Sequence, residues 1–179
     1  GDGPPDGENQ QVVLTLAPSG KRVTYVVLSP TGTGTDHVLL IDHLVEQIHR
    51  MEPSQQFDIL VCTSDGVRQW PDDGTFVAAS SAEKIRAYDV ARSIRPAGDG
   101  PLDDVVPVIR RLQPDILWLF AAGNLTREAL DPIAEAVREN RAVINMVKVE
   151  ASGDDDWLRQ WTRLHDGVVS FIGPAVARS

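Results

Sequence analysis

The chain has 179 residues, of which 42% are hydrophobic and 24% are charged, a composition typical of one folded domain rather than of a disordered segment. The formal net charge of −9 would repel phosphate backbones and no basic stripe offsets it, so nucleic acids are excluded as expected partners. The longest apolar run covers residues 116–122, far short of the roughly 20 residues that a membrane-spanning helix needs.

Residues 1–20 are predicted to form a flexible tail or linker, because they are rich in glycine and proline and hold acidic residues without a basic one. Within this tail, residues 12–16 (VVLTL) are β-prone and could add an extra strand at a sheet edge. The rest of the chain divides into a folded domain at residues 21–174 and a short C-terminal tail at residues 175–179.

Five short runs are apolar at nearly every position, as expected for parallel strands that are covered on both faces. They lie at residues 22–29, 57–63, 115–121, 142–148 and 168–172. A shorter run at residues 75–79 follows a turn-rich stretch, and this pattern predicts an antiparallel edge strand. Cys62 lies within the second apolar run, so we expect its thiol to be buried and slow to react.

Amphipathic patterns between these strands predict helices. The first pattern places five aliphatic side chains on one helix face: Val38, Ile41, Leu44, Val45 and Ile48. Ser80 and Glu83 have the spacing of a capping box and therefore predict the start of a second helix.

Three further helices are predicted in the second half of the chain. A stripe at residues 102–112 contains Pro107, which should kink that helix or mark a later start. Asp131 followed by Pro132 is typical of an N-cap with proline at the first helical position. Three aspartates at residues 154–156 favour a helix start electrostatically, and Leu164 is expected on the apolar face of that helix.

Strands that alternate with helices predict a doubly wound α/β fold, in which helices flank a mainly parallel central sheet with one short antiparallel edge strand. Ligands bind such sheets beyond the carboxyl ends of the strands, where the strand order reverses. The loops at residues 30–36, 97–101 and 122–126 are therefore the candidate binding region.

Residues 29–36 read Ser-Pro-Thr-Gly-Thr-Gly-Thr-Asp and connect the first predicted strand to the first predicted helix. A dinucleotide-binding fingerprint would need a third glycine where the sequence has His37. A phosphate loop of the Walker kind would need a lysine within the loop, which the sequence lacks. A tight, hydroxyl-rich turn with Thr35 or Asp36 as the helix N-cap also fits these residues.

Beyond the N-terminal tail and up to the last predicted strand, the order of elements resembles a von Willebrand factor type A (vWA) domain. That family carries Asp-x-Ser-x-Ser after its first strand, and a distant threonine and a distant aspartate complete a metal-ion-dependent adhesion site. Here Ser29, Thr31 and Thr33 stand at the three positions of the first motif. Gly100 stands near the position of the distant threonine, and Ala122 stands where the family has the aspartate.

The resemblance implies a degenerate metal site, because both carboxylates of the family are replaced and neutral hydroxyls alone compete poorly with water for Mg²⁺. No metal and no other cofactor is therefore expected. Asp36 and Asp99 remain as carboxylates in the neighbouring loops, where each could approach a cation or cap a helix. The four histidines have no metal-ligand spacing and are expected at the surface.

These features predict a protein-protein interaction or scaffold module that is not an enzyme, with a protein partner whose identity the sequence leaves open. The candidate partner-binding residues are Thr31, Thr33, Asp36, Asp99, Asn124 and Trp70. Trp70, beside Pro71, is either an exposed contact residue or is tucked against the sheet edge. The alternative is a small-ligand or phosphoryl-handling α/β enzyme that uses Thr31, Thr33, Asp36 and Asp99.

Lysine is rare relative to arginine, and this bias indicates a GC-rich bacterial genome. The sequence begins without methionine, so it can be a fragment of a longer chain. The compartment stays open for the same reason, and a location in the cell envelope or outside the cell is compatible with the sequence.

Overall fold

The computed structural model describes residues 21–28, 34–95, 102–123, 125–149 and 155–173. Within them, seven strands form one sheet: β1 (Arg22–Leu28), β2 (Gln56–Thr63), β3 (Gly66–Trp70), β4 (Val77–Ala78), β5 (Ile116–Ala121), β6 (Val143–Val149) and β7 (Val169–Ile172). The strand order is β3-β2-β1-β5-β6-β7, and β4 also pairs with β2. All pairs are parallel except those that β3 and β4 make with β2. The predicted mainly parallel α/β fold is confirmed.

Helices cover both faces of the sheet. The described ones are α1 (Gly34–His49), α2 (Ser81–Ser93), α3 (Val105–Leu112), α4 (Arg127–Ala136) and α5 (Trp157–Arg163). α1 and α2 pack on the face where β1 buries Tyr25 and Val27. α3, α4 and α5 pack on the face where β1 buries Val26 and Leu28. No helix among the described residues is long and apolar enough to cross a membrane.

The predicted central strands lie inside the sheet because nearly every side chain that they carry is apolar. In β1 every residue after Arg22 is buried, and in β5 the side chain of Leu119 is fully buried. A strand of a one-sided antiparallel sheet would instead leave alternate side chains in water. Burying one large aliphatic side chain contributes roughly 1.5–3 kcal/mol, so these strands provide much of the stability of the core.

The antiparallel edge is larger than the sequence indicated. The strand predicted at residues 75–79 is present as β4, but β3 was not predicted. β3 is short and its side chains are half-buried or exposed, so it lacks the apolar pattern of the other strands. The Asp65-Gly66 dipeptide at its start is a strong hairpin signal that could have revealed it. The possible strand at residues 12–16 and the two predicted tails lie outside the described residues.

Two side chains assigned to apolar helix faces point to solvent. Val38 is 55% exposed, because the buried face of α1 runs through Leu40 and Leu44. With roughly 100° of rotation per residue, Val38 lies well outside this face. Leu164 is 66% exposed, since α5 ends at Arg163 and Leu164 belongs to the turn that follows.

One predicted helix start is confirmed by its capping geometry, and another helix starts later than its apolar stripe, as Pro107 allowed. The Oγ of Ser80 accepts a hydrogen bond of 3.3 Å from the backbone N of Glu83, so Ser80 is the N-cap of α2. α3 begins at Val105, which places Pro107 in the first turn. A proline is tolerated there because the backbone N–H groups of the first turn have no partner within the helix.

The predicted N-cap at Asp131 is wrong. α4 begins one and a half turns earlier, and its N-cap is Thr126, whose Oγ1 accepts a hydrogen bond of 3.2 Å from the backbone N of Ala129. Pro132 therefore lies inside the helix. The carboxylate of Asp131 has a tertiary partner instead, because it accepts a hydrogen bond of 3.1 Å from Nε1 of Trp161 in α5.

Candidate functional site

The carboxyl ends of β1 and β5 lie side by side in the middle of the sheet. Leu28 and Ala121 are partners in the β1–β5 register, and each is the last residue of its strand. The connection after β1 leads to α1 on one face, whereas the connection after β5 leads to α4 on the other face. Two of the predicted loops thus start next to each other and diverge, which is the position where α/β sheets place ligands.

The described residues cover part of the predicted site. Ser29, Thr31, Thr33, Asp99, Gly100 and Asn124 lie outside the described residues. Asp36 and Ala122 follow the ends of β1 and β5, so the structure brings them to the same end of the sheet. Within the described part of the chain, no group of three or more His, Cys, Asp or Glu side chains is arranged to hold a metal ion.

Ala122 occupies an apolar position at this end of the sheet. It follows β5, is 2% exposed, and belongs to the cluster that packs between the sheet and the α1–α2 layer. A carboxylate at this position would lose most of its hydration, so it would need a bound cation or hydrogen-bond donors. Gly123 follows with a φ of +82°, a conformation that glycine adopts without strain, so the chain turns directly after Ala122.

The start of α1 is tied to the end of α2. Asp36 is half-buried in the first turn of α1, where a negative charge interacts favourably with the helix dipole. The Nε2 atom of the neighbouring His37 lies 2.7 Å from the carbonyl oxygen of Ile94. A carbonyl oxygen only accepts hydrogen bonds, so Nε2 carries the proton. His37 is half-buried, and its role in holding two loops of the site together was not predicted from the sequence.

A buried ion pair, which was not predicted from the sequence, lies at the same end of the sheet. Lys148 is the partner of Ala121 in the β5–β6 register, and its side chain has no exposed surface. Its Nζ donates hydrogen bonds to Oδ2 of Asp155 at 3.2 Å and to the carbonyl oxygen of Val149 at 2.8 Å. These bonds stabilise an ammonium group that has lost its hydration. The sequence feature that could have indicated this ion pair is a lysine at the end of an apolar strand.

Trp70 lies apart from this end of the sheet. It is the last residue of the edge strand β3 and is the partner of Ile59 in β2, four residues before the carboxyl end of that strand. Its ring packs on Phe57 with 5.8 Å between the ring centroids. Trp70 is half-buried against the sheet edge, so the structure does not bring it together with Asp36 and Ala122.

The prediction that Cys62 is buried is confirmed. The residue is 1% exposed within β2. Burial, with a smaller contribution from the charge of Asp104, raises the pKa of its thiol to about 12. The thiolate is the reactive form of cysteine, so this thiol is not arranged as a nucleophile.

The fold is similar to solved vWA structures. A structure described as von Willebrand factor type A from Catenulispora acidiphila matches 86% of this chain with a TM-score of 0.65 and 14% identity. The SpRpn10 VWA domain matches 87% of this chain with a TM-score of 0.58 and 9% identity. The TFIIH p34 N-terminal domain matches 87% with a TM-score of 0.54 and 12% identity.

These similarities show that the chain has a vWA-like fold. The match spans 39% of the Catenulispora acidiphila chain, but 89% of the SpRpn10 domain and 91% of the TFIIH p34 domain. No protein-family model matches the sequence, and no curated protein gives a significant match to it.

Proposed function

We propose that the chain is a non-enzymatic protein-protein interaction or scaffold module of the vWA type that has lost the carboxylates of its metal site. Ala122 carries this proposal, because an alanine buried in an apolar cluster stands where the resemblance places a metal-binding aspartate. The vWA-like fold and the adjacent ends of β1 and β5 support the assignment of this position.

The chemistry of the remaining residues supports the loss of metal binding. Hard divalent cations prefer several oxygen ligands, usually with one or two carboxylates among them. At the positions that resemble the family's metal site, Ser29 and Ala122 stand in place of its two carboxylates, and Gly100 stands in place of the threonine hydroxyl. The hydroxyls of Thr31 and Thr33 carry no charge, so they do not compensate for the dehydration of Mg²⁺.

A partner at this end of the sheet would then bind through hydrogen bonds and shape. In a vWA domain with an intact site, the metal bridges to a carboxylate of the partner, and this chain lacks the bridge. Thr31, Thr33 and Asn124 would supply donors and acceptors, whereas Asp36 and Asp99 favour a basic group on the partner. Interfaces of this kind bury roughly 800 Å² per partner and depend on a few central residues.

Calorimetry with Mg²⁺, Mn²⁺ and Ca²⁺ tests the loss of the metal site. We expect no saturable binding at millimolar concentrations, because Ser29 and Ala122 stand where the family has its two metal-binding carboxylates. A tight divalent site that disappears in Thr31→Ala would contradict the proposal.

A variant that restores the family's metal-site residues also tests this assignment. The triple variant Ser29→Asp, Gly100→Thr and Ala122→Asp should gain affinity for Mg²⁺, and the metal should stabilise it because the new carboxylate is buried. The matched control carries Ala122→Asn with the same two other changes, so it has the same shape without the second charge. If the triple variant folds and still ignores the metal, the alignment of these residues with the vWA site is wrong.

A thermal-shift screen with nucleotides separates this function from the alternative enzyme. A ligand at about 100 times its Kd stabilises a protein by roughly 2.7 kcal/mol, which gives a clear rise in Tm. An interaction module should show no such rise. Strong stabilisation by a nucleotide would instead favour the small-ligand or phosphoryl-handling enzyme.

A further inference from the structure

β3 forms one edge of the sheet. Among the described residues, β2 is the strand that pairs with β3, in a register that runs from Ile59–Trp70 to Thr63–Gly66. The backbone groups on the other side of β3 have no strand partner in the described part of the chain. Residues 66–70 contain no proline and no lysine, which commonly protect exposed edges. As far as the described residues show, this edge is open to pairing with an added strand.

A groove of about 400 Å³ lies beside this edge, between the sheet and α2. Ile59, Val61 and Trp70 of the sheet line it together with Val90 of α2 and Ile94 at the end of that helix. These apolar side chains form its floor. Its volume lies in the range of ordinary ligand pockets and accommodates one or two large apolar side chains.

Two arginines lie at the rim of this groove. Arg68 of β3 and Arg95 after α2 are exposed, and neither forms an ion pair with a described residue. Among the described residues that line the groove, Asp65 is the acidic one, so two positive charges stand against one negative charge. This is the opposite of the whole chain, whose net charge is −9. Unpaired guanidinium groups beside an apolar floor favour a ligand that has both carboxylates and apolar groups.

We propose that β3 and this groove bind an extended acidic segment of a partner protein. The main chain of the segment pairs with the outer edge of β3, and every second side chain faces the groove because side chains alternate along a strand. Apolar side chains of the segment enter the groove over Trp70, and its carboxylates pair with Arg68 and Arg95.

This surface goes beyond the function proposed above. It lies at the β3 edge of the sheet and adjoins the loops at Ile94, whose carbonyl oxygen contacts His37, but it prefers the opposite charge. Asp36 and Asp99 at the loops favour a basic group, whereas Arg68 and Arg95 favour an acidic one.

Selection of short random peptides displayed on phage against the full chain tests the proposal. We expect the enriched peptides to alternate acidic and apolar residues. In the chain without peptide, the outward amides of residues 66–70 should exchange hydrogen rapidly. An enriched peptide, synthesised and added, should slow that exchange. Enrichment of basic peptides or of none, or slow exchange of these amides before any peptide is added, would overturn the proposal.

Charge-reversed variants then locate the binding site. Fluorescence anisotropy with a labelled acidic peptide from the selection should give a Kd at least about tenfold weaker for Arg68→Glu with Arg95→Glu, since two charge pairs become repulsive. The matched control is Arg86→Glu with Arg92→Glu, which changes the net charge equally on exposed positions of α2 outside the groove. The control should bind the peptide nearly as well as the unchanged protein.

Two outcomes of these measurements would overturn the proposal. An equal loss of affinity in the groove variant and in the control variant would mean that the peptide responds only to the net charge of the protein. A loss of affinity in Thr33→Glu with Asn124→Glu, without a loss in Arg68→Glu with Arg95→Glu, would place the peptide at the loops. That second outcome would be compatible with the proposed interaction module but would contradict the proposed binding site at the β3 edge.

Discussion

Gln69 donates a hydrogen bond of 3.1 Å from its Nε2 to Oδ2 of Asp58, and so links the edge strand β3 to a carboxyl group that is fully buried in β2. Arg111 of α3 in turn donates to Oε1 of Gln69 at 3.1 Å. Burial raises the pKa of Asp58 to about 7, although the hydrogen bond from Gln69 and the charge of Arg111 act in the opposite direction. The hydrogen-bonded series Arg111–Gln69–Asp58 therefore holds the edge strand in register, and it ends at the titratable carboxyl of Asp58 inside the protein.

The buried carboxyl of Asp58 predicts a loss of stability as the pH rises. In the unfolded chain its pKa is about 4, so between about pH 4 and pH 7 the folded state keeps a proton that the unfolded state releases. The contribution of this group to the free energy of unfolding therefore falls through that window. The difference between the two pKa values corresponds to at most about 4 kcal/mol.

Asp58→Asn isolates this contribution from those of the other carboxylates. The asparagine keeps an oxygen that can accept from Gln69 but does not titrate. Urea unfolding should find the variant close to the unchanged protein at about pH 4 and more stable than it at about pH 8. A stability difference that stays constant between these pH values would contradict the assignment.

Cys62 should react with a thiol reagent far more slowly in the folded protein than in the unfolded chain. The side chain is buried, and its raised pKa lowers the fraction of reactive thiolate at neutral pH. We expect a difference of at least about 100-fold in rate at pH 8 between the native protein and the protein in denaturant. Because the chain has one cysteine, the absorbance change on labelling reports this site alone. Equal rates would refute the burial of Cys62.

The central strands were predictable from the sequence, whereas the edge was not. β1, β5 and β6 are covered on both faces, so burial leaves an apolar residue at almost every position and no tertiary information is needed. β3 is half-exposed, so its sequence carries no such pattern. The start of α4 was misplaced because the pattern of Asp131 and Pro132 fits a cap locally, while the distant Trp161 is the actual partner of Asp131.

Some features of the candidate site could likewise be predicted from the sequence, whereas others depend on tertiary packing. Ala122 follows an apolar strand in the sequence, and its position beside the end of β1 follows from the strand order. The pairing of Lys148 with Asp155 depends on where α5 begins relative to β6, which is a tertiary property. The role of His37 likewise depends on the packing of α1 against α2, which brings Ile94 within reach.

Gly167 should not tolerate a side chain. A Cβ atom at this position would lie 1.8 Å from the carbonyl oxygen of Ile144 in β6, which is far inside any normal contact distance. Gly167→Ala should therefore lower the free energy of unfolding by more than about 2 kcal/mol, because backbone has to move. The comparison is Gly74→Ala, where φ is +80° but the nearest atom is the end of the Arg111 side chain at 3.7 Å. That change should cost about 1 kcal/mol. Equal losses in denaturant unfolding would contradict the close approach at Gly167.

The two partners of the Lys148–Asp155 ion pair should differ in how much their loss destabilises the protein. The side chain of Lys148 has no exposed surface, whereas that of Asp155 is 13% exposed. Asp155→Asn leaves a buried ammonium without a counter-charge, and removing one partner of a buried pair in this way costs about 3–5 kcal/mol. Lys148→Met leaves a carboxylate that water can still reach, and the methionine fills most of the space of the lysine stem. We therefore expect Lys148→Met to cost less than Asp155→Asn.

The double variant Lys148→Met with Asp155→Asn decides whether this asymmetry comes from the uncompensated charge. With both charges removed, no buried ion lacks a partner, so the double variant should be more stable than Asp155→Asn alone. Urea unfolding of the three variants measures the coupling between the two sites directly. Strictly additive losses would show that the two side chains act independently. A larger loss in Lys148→Met than in Asp155→Asn would show that packing of the lysine stem, rather than compensation of its charge, holds this end of β6 in place.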